Sequence, residues 1–306
     1  MSAAPAPVID GVILYDKPRD ITSHDVVARV RRTLPRKTRV GHAGTLDPFA
    51  TGLLLVLVGR GTRAQRFLMG LAKDYETIAR FGAVSSTGDS EGEITETGRV
   101  PDGDLILPRG RVRQRPPAYS ALRVDGERAY ARARRGEEVE LPEREITVYD
   151  FQELSREGDR RAFAIRCSSG TYVRSLIADL GDAYCEELRR TAIGSFDVAD
   201  ADPERIVPLN DALAFMPAVT LDTEAARRAS HGVAVAVPAG AEAPGITAPA
   251  GSDTSGTTAA DGPDRPAPPF IRLLDEQGLI AIAQPRPDPD DPAAPALLKP
   301  VVGLRG

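Results

Sequence analysis

The stretch Arg39-Val-Gly-His-Ala-Gly-Thr-Leu-Asp-Pro-Phe-Ala-Thr-Gly52 runs directly into the apolar segment Leu53-Leu-Leu-Val-Leu-Val58. Glycines at this density are typical of sharp turns and of backbone that lies close to a ligand. Pro48 has a restricted φ and disfavours helical backbone at the preceding Asp47. The apolar segment is short and partly β-branched, so we expect a buried element. The pattern predicts a carboxylate on a stiff loop at the edge of a core, although Asp-Pro in such a loop is commonly only a turn.

Length and composition limit the class of protein. A chain of 306 residues with 42% apolar residues can form one large and one small domain around a sizeable core. The first twelve residues lack the pattern of a signal peptide, and the apolar run at 53–58 is too short to cross a bilayer. Two cysteines and three scattered histidines suggest no disulfide framework and no metal site. We expect a cytoplasmic protein that is not in a membrane.

The distribution of charge is more informative than its sum. The net charge of −5 argues against a general binder of nucleic acid, yet residues 17–39 hold eight basic residues against two acids. Residues 109–135 hold nine arginines against two acids. Two basic segments in an acidic protein fit a defined RNA-binding face. Two solvated helix faces would give the same counts, and the residues alone leave both interpretations open.

Periodicity predicts alternating strands and helices. Apolar residues at helical spacing follow Thr22, a suitable N-cap, and helical patterns recur after Thr62 and after Thr171. Alternation of apolar and polar residues predicts a strand over 73–81. The full set of expected elements is strands at 8–14, 73–81, 146–154 and 161–167, helices after 22, 62 and 171, a short helix at 126–136, and a hairpin at 271–282 that turns at 275–278.

The segment His42-Ala-Gly-Thr-Leu-Asp-Pro-Phe-Ala-Thr-Gly-Leu53 resembles the catalytic motif of the TruB family, the bacterial tRNA pseudouridine-55 synthases. The resemblance implies that Asp47 is the catalytic nucleophile, and it carries the histidine of the motif over to His42. Residues 16–27 are similar to the first motif of the family, which usually has glycine where this chain has Asp20. Lys17, in the same motif, is implied to support the catalytic loop.

Further motifs carry the resemblance along the chain, and residues 114–123 and 126–136 are among the family-like stretches. Lys73-Asp-Tyr75 implies that Tyr75 stacks on the target base. Gly170-Thr-Tyr-Val-Arg-Ser-Leu176 implies that Arg174 pairs with the catalytic aspartate and that Tyr172 lines the substrate pocket. Leu188-Arg-Arg-Thr191 implies that Leu188 closes the pocket floor. The family usually has a longer segment before this last motif, where this chain has only residues 182–187.

The resemblance covers residues 10–195 and implies the fold. We expect an α+β catalytic domain over 1–218 with a mixed, mostly antiparallel sheet. Residues 219–306 are expected to form a degenerate PUA-like β module. An insertion at about 238–269 is rich in Ala, Gly, Pro, Ser and Thr and is predicted to be disordered. From Thr220 onward eleven acids face seven bases, so this module is not an obvious electrostatic clamp for RNA.

The implied activity is isomerisation of uridine to pseudouridine at position 55 in the T-loop of tRNA. The target must leave the base stack, and an aromatic side chain such as Tyr75 offers it a stacking face. We expect His42 to fill the space that the base leaves. An ionised Asp47 near Arg174 suits a nucleophile, and attack at C1′, chemistry begun at C2′ and addition to C6 of the base all stay open. No cofactor is expected, and tRNA is the expected partner of a monomer that needs no other protein.

Three other functions remain possible. A guide-RNA-dependent synthase resembling dyskerin would share these motifs but would need partner proteins. An RNA-folding module that binds tRNA could carry catalysis as a secondary property. A hydrolase with an aspartate nucleophile would explain Asp47 but would give no reason for the basic segments.

Overall fold

The computed structural model describes residues 10–117, 119, 123–124, 127–128, 132, 135, 137, 141–238, 270–286 and 296–305. The predicted short helix at 126–136 falls largely, and the predicted insertion at 238–269 almost entirely, outside the described residues. Within the described ranges, every helix falls short of the length and apolarity that a membrane crossing requires.

The helices and strands are distributed along the whole described chain. The α-helices are α1 (Ser23–Thr33), α2 (Gln65–Met69), α3 (Val173–Ala178), α4 (Leu209–Ala212) and α5 (Thr223–Ser230), and short 3₁₀ helices span Gly59–Ala64 and Val198–Asp200. The first ten strands are β1 (Gly11–Lys17), β2 (Val40–Ala43), β3 (Thr51–Val58), β4 (Lys73–Phe81), β5 (Ala83–Ser85), β6 (Ile94–Glu96), β7 (Gly110–Gln114), β8 (Arg123–Val124), β9 (Glu127–Arg128) and β10 (Arg144–Glu157). The remaining strands are β11 (Arg160–Cys167), β12 (Ala183–Ile193), β13 (Phe196–Asp197), β14 (Val207–Pro208), β15 (Ala218–Thr220), β16 (Val235–Ala236), β17 (Ile271–Asp275), β18 (Gly278–Arg286) and β19 (Leu297–Gly303).

The chain divides into two compact units. The larger unit comprises residues 13–57 and 65–205, and the smaller comprises residues 1–12, 58–64 and 206–306. The predicted domain boundary between residues 218 and 219 remains a prediction. The two units are defined by contacts within each of them, and such a division does not test where a domain ends.

The larger unit is built on one mixed sheet in the order β1-β3-β12-β4-β11-β10-β7. The neighbours from β12 to β7 pair antiparallel, whereas β12 and β3 run parallel. β4 alternates strictly between buried and more exposed residues, so Lys73, Tyr75 and Thr77 share one face of the sheet. α3 packs on this face over a core that includes Phe49, Phe163 and Leu176.

The smaller unit contains a five-stranded sheet in the order β15-β17-β18-β19-β16. β15 pairs parallel with β17, and the other pairs are antiparallel. α5 packs against this sheet through Ala226 and Ala229, which join a core that includes Ile271 and Leu273. A small curled sheet of this kind is compatible with the expected PUA-like module.

Several predicted elements are confirmed and others are shifted. The strand at 73–81 and the hairpin with Asp275 opposite Gly278 form as predicted. The first strand spans Gly11–Lys17, so it ends three residues after the predicted end at 14, and residues 8 and 9 lie outside the described residues. Residues 183–193 form the long strand β12. Residues 183–187 of the short segment are therefore already part of the sheet, and Leu188 lies in the same strand.

Candidate active site

The loop that carries Asp47 is fixed on both sides of the carboxylate. Before it, the Ser23 hydroxyl receives a hydrogen bond from the Leu46 N–H at 3.0 Å and donates to the Leu46 carbonyl at 3.2 Å. After it, the Pro48 carbonyl accepts from Lys17 Nζ at 3.0 Å and from the Asp20 N–H at 2.9 Å. The backbone on either side of Asp47 is therefore held by buried groups from the first motif.

Lys17 is fully buried, and its ammonium also donates to the carbonyls of Pro18 and Ile21 at 2.9 Å. Burial lowers the pKa of Lys17 to about 8, while the negative charge of Asp47 opposes that shift. Asp20 has a left-handed backbone with φ 65°, which explains why glycine suits this position and why aspartate is tolerated there.

Two glycines permit the close approach of this loop to β12. Gly44 has φ +90° and its carbonyl accepts from Arg190 Nη2 at 2.9 Å. Gly52 has φ +101°, and a Cβ there would lie 2.2 Å from the Arg190 carbonyl oxygen. Gly52 therefore allows β3 to lie close to β12, and the positive φ of Gly44 allows the chain to turn.

A buried guanidinium joins two carboxylates at the centre of the site. Arg174 Nε lies 2.9 Å from Asp47 Oδ2, and Arg174 Nη1 lies 3.0 Å from Asp89 Oδ2. The side chain of Arg174 is 3% exposed, and it also donates to the carbonyls of Thr87 and Tyr119 at 2.7 and 2.8 Å. These contacts leave Arg174 little freedom and fix the guanidinium against Asp47.

Opposing influences act on the Asp47 carboxyl. Burial raises its pKa, and the nearby carboxylate of Asp89 raises it further, whereas the positive charges of Arg174 and Lys17 lower it. About a third of the side-chain surface stays accessible, at 31%. A substrate can therefore reach the Asp47 carboxyl, and burial leaves its charge weakly solvated. Both features favour nucleophilic attack by the carboxylate.

Tyr75 lies at the centre of the sheet, opposite Ile165 on β11 and Arg190 on β12. The residue is 9% exposed, and burial raises the pKa of its phenol. The phenol is therefore neutral at pH 7, so Tyr75 is suited to pack against a base and unsuited to accept a proton.

One cavity of about 250 Å³ brings together five of the six predicted site residues. Asp47, Tyr75, Tyr172, Arg174 and Leu188 all line it. A larger open groove of about 630 Å³ includes Tyr75 but neither Asp47 nor Arg174. The smaller cavity is therefore the candidate active site.

His42, the sixth predicted residue, is not part of the cavity lining. It stands on β2, with its ring 5.4 Å from that of His24 in an edge-on arrangement. Burial lowers the pKa of His42 to about 4. Its Nδ1 is buried and has no hydrogen-bond partner among the described residues. A neutral imidazole beside the loop is consistent with a steric role and offers no acid at pH 7.

Comparison with known proteins decides the family. The sequence model of the TruB family pseudouridylate synthase N-terminal domain matches residues 31–173. A tRNA pseudouridine synthase B from Leifsonia xyli subsp. xyli is 46% identical over 236 residues, which are 71% of this chain and 76% of the relative. The tRNA pseudouridine synthase B from Thermobifida fusca is 44% identical over 255 residues, which are 73% of this chain and 85% of the relative. The chain belongs to the TruB family of pseudouridylate synthases.

Solved structures show the same fold. A chain from an H/ACA RNP bound to a substrate RNA containing 2′-deoxyuridine superposes with a TM-score of 0.65 at 22% identity. The match covers 98% of this chain and 86% of that one. A Cbf5-Nop10-Gar1 complex gives a TM-score of 0.64 at 24% identity, covering 96% and 84%. The fold is therefore the pseudouridine synthase fold, as the resemblance predicted.

In this TruB-family site, sequence reasoning missed three supporting residues. Asp89 lies in the polar, glycine-containing stretch 85–92, whose composition indicates only a loop. Gln114 is buried, and its side-chain amide donates to the Tyr172 carbonyl at 2.9 Å and accepts from the Tyr172 N–H at 2.8 Å. Ser23 follows the predicted N-cap Thr22, and nothing in the helical pattern indicates its contact with Leu46. Gln114 opens a stretch that resembles the family, but its contact with Tyr172 could be assigned only once the structure brought the two residues together.

Proposed function

We propose that this protein isomerises uridine to pseudouridine at position 55 in the T-loop of tRNA, with Asp47 as the nucleophile. The observation that carries the proposal is the Asp47 carboxylate, 2.9 Å from the buried Arg174 and open to a cavity that Tyr75 also lines. Family membership supports the reaction type, and relatives named tRNA pseudouridine synthase B support the substrate.

The reaction needs a nucleophile and a fixed geometry. The bond between C1′ and N1 breaks, the uracil turns, and C1′ joins C5, while C5 loses a proton and N1 gains one. Asp47 supplies the nucleophile, and Arg174 keeps its carboxylate oriented. Tyr75 and Leu188 provide apolar surface for the extruded base. The balance of atoms requires no redox step and no added group.

We further propose that His42 occupies the space that the extruded base vacates. It stands outside the cavity and is held neutral by burial, so a steric role fits its surroundings better than proton transfer. We also propose that the protein acts as a monomer in the cytoplasm with tRNA as its partner. The bacterial relatives support action without a guide RNA.

The test is incubation of unmodified tRNA transcripts with purified protein and mapping of pseudouridine by base-specific chemical labelling. We expect product at uridine 55 with the wild type and none with Asp47→Asn, which keeps the shape of the side chain but removes the nucleophile. A transcript with cytidine at position 55 controls for position. Product that requires an added guide RNA would favour the dyskerin-like alternative, and tight binding without product would favour an RNA-folding role.

A further inference from the structure

Arg144 is a cation of the Asp47 cavity that the chemistry above does not use. It begins β10, is half-buried, and lines the cavity with Asp47 and Tyr75. Its guanidinium carbon lies 4.7 Å from the centroid of the Tyr172 ring, and its Nη2 donates to the Gly170 carbonyl. These contacts hold the guanidinium plane against one wall of the cavity.

The other cations of the cavity are buried and occupied. Arg174 is held by two carboxylates. Lys73 donates to the carbonyls of Met69 and Leu71. Arg190 donates to the carbonyls of Leu53 and Gly44. Each of these three cations is at most 5% exposed, so their donors serve the fold of the site rather than a ligand.

Arg144 has donors that the protein leaves unused. Its Nε is buried without an acceptor, and its Nη1 has no acceptor among the described residues. None of the ion pairs found in the described part of the chain includes Arg144. A guanidinium offers five N–H donors, and among the described residues the Nη1 donors and the charge of Arg144 have no partner, so they can serve a ligand.

We propose that Arg144 binds a phosphate of the RNA backbone next to the nucleotide that enters the cavity. This inference rests on the proposed function, because it requires an RNA substrate. The cavity lining carries four cations against the carboxylate of Asp47. Asp89 behind Arg174 adds a second carboxylate, so positive charge is still in excess, whereas a uridine that enters the cavity is neutral. The excess positive charge therefore matches the backbone that accompanies the base, and the planar fork of arginine suits a phosphate.

The first experiment measures the salt dependence of binding of a T-arm stem-loop, with every protein in the Asp47→Asn background to prevent turnover. Arg144→Met keeps an unbranched stem beside Tyr172 but removes the charge. We expect about ten-fold weaker binding at low salt. Between about 50 mM and about 200 mM salt we expect the log–log slope to become shallower by about 0.7 to 0.9.

Two controls accompany this measurement. Arg144→Lys should keep the wild-type slope, because it keeps the charge. Arg166→Met removes a surface arginine that pairs with Asp74 on the face of the sheet opposite Tyr75. It should therefore leave both the affinity and the slope unchanged. Weaker Arg144→Met binding with an unchanged slope would mean a contact to a uracil carbonyl or a structural role, and it would overturn the proposal.

The second experiment places an uncharged methylphosphonate at the linkage on the 5′ or the 3′ side of the target uridine. At the linkage that Arg144 contacts, the modification should weaken binding to the Arg144-containing protein about as much as Arg144→Met does. The methylphosphonate and Arg144→Met together should weaken binding no more than either change alone. In a double-mutant cycle, this result indicates that both changes remove the same interaction. If the binding losses from the methylphosphonate and from Arg144→Met are additive at both linkages, the proposal is overturned. Arg144→Gln replaces Arg144→Met if the methionine variant does not fold.

The outcome separates this inference from the proposed function. The protein with Asp47 intact is assayed for pseudouridine on the same stem-loop. If it forms no product, the proposed function fails. If it forms product but Arg144→Met keeps the wild-type salt slope, only the assignment of Arg144 fails.

Discussion

At the scale of single residues, the carboxylates of Asp47 and Asp89 share one guanidinium. Arg174 lies 2.9 Å from the first and 3.0 Å from the second, and its own side chain is 3% exposed. A buried arginine needs compensating charge, and removal of one partner leaves the rest of the group strained. We therefore expect Asp89 to be a positioning residue, which acts on Asp47 through Arg174.

We predict that Asp89→Asn lowers kcat by about ten- to a hundred-fold, since a charged hydrogen bond to Arg174 is lost. KM for tRNA should change little, because Asp89 is buried and does not line the cavity. Single-turnover assays with saturating enzyme measure the effect. The exposed neighbour Glu91 gives a matched control, and Glu91→Gln should keep nearly full activity. Equal losses in the two variants would contradict the positioning role of Asp89.

We also predict that His42 makes the stability of the fold depend on pH. The pKa of His42 is about 4 in the folded chain and about 6.5 in an unfolded chain. The unfolded state therefore takes up a proton first, so the free energy of unfolding should fall as the pH drops from about 6.5 to about 4. Above that range the contribution of His42 is constant.

Urea unfolding of the wild type and His42→Gln at several pH values measures this contribution. The variant should lose less stability over the acid range than the wild type does. His24→Gln should reduce the dependence in part, because the positive charge of His24 helps to lower the pKa of His42. Identical pH profiles for wild type and His42→Gln would show that the imidazole titrates normally in the folded state.

At the scale of elements, the active site depends on the crossing of the Asp47 loop with β12. β3 and β12 run parallel, with Gly52 opposite Arg190. Arg190 then donates from its side chain to the carbonyls of Leu53 and Gly44. One buried arginine thus joins the strand after the loop to the loop itself, and this contact requires the two backbones to lie very close.

We predict that Gly52→Ala destabilises the protein by at least about 2 kcal/mol, because it combines backbone strain with a steric clash. The φ of +101° disfavours a side chain, and the new Cβ would lie 2.2 Å from the Arg190 carbonyl oxygen. Chemical denaturation with an unchanged m-value measures the loss.

Two glycines provide matched controls for this substitution. Gly158 has φ +59° with open space around its Cβ position, so Gly158→Ala reports backbone strain alone. Gly103 has open space and no positive φ, so Gly103→Ala should be nearly neutral. A loss at Gly52 no larger than that at Gly158 would show that β12 moves away at little cost.

At the scale of the whole molecule, the composition is uneven along the chain. The smaller unit contains the segment 239–269, which is rich in Ala, Gly, Pro, Ser and Thr. A segment of this composition has little apolar surface, so burial of that surface would stabilise it less than the loss of conformational entropy on ordering would destabilise it. The core of the smaller unit is formed instead by α5 and the five-stranded sheet.

We predict that replacing residues 242–266 with a short Gly-Ser linker leaves pseudouridine formation unchanged and shifts the melting temperature by no more than about 2 °C. A segment of this composition has little apolar surface to contribute to a core, so we expect its shortening to alter stability mainly through chain entropy, which varies slowly with length. Differential scanning calorimetry and the tRNA assay measure the two effects. A lower affinity for tRNA in the deletion variant would instead assign an RNA contact to this segment.

Local sequence predicted several of the elements and the loop of Asp47, but it did not predict the long strand β12. Strict alternation predicted β4, and the density of glycine with Asp47-Pro48 predicted a stiff loop beside a buried strand. The roles of Tyr75, Tyr172, Arg174 and Leu188 came from the resemblance, and the structure brings all four to the cavity of Asp47. These features are encoded within a few residues, so a reading of the chain can find them.

The resemblance implied that Lys17 supports the loop of that acid, but the tertiary structure alone showed the contacts of Lys17 and added Asp89 and Gln114 to the support. Lys17 reaches Pro48 from β1, Asp89 reaches Arg174 from a loop, and Gln114 reaches Tyr172 from β7. Burial then fixed the state of each titratable group, since it raises the pKa of Asp47 and lowers that of His42. Local periodicity records which face of an element is apolar, but partners far apart in the chain and the loss of solvent around a charge exist only after the sheet has formed.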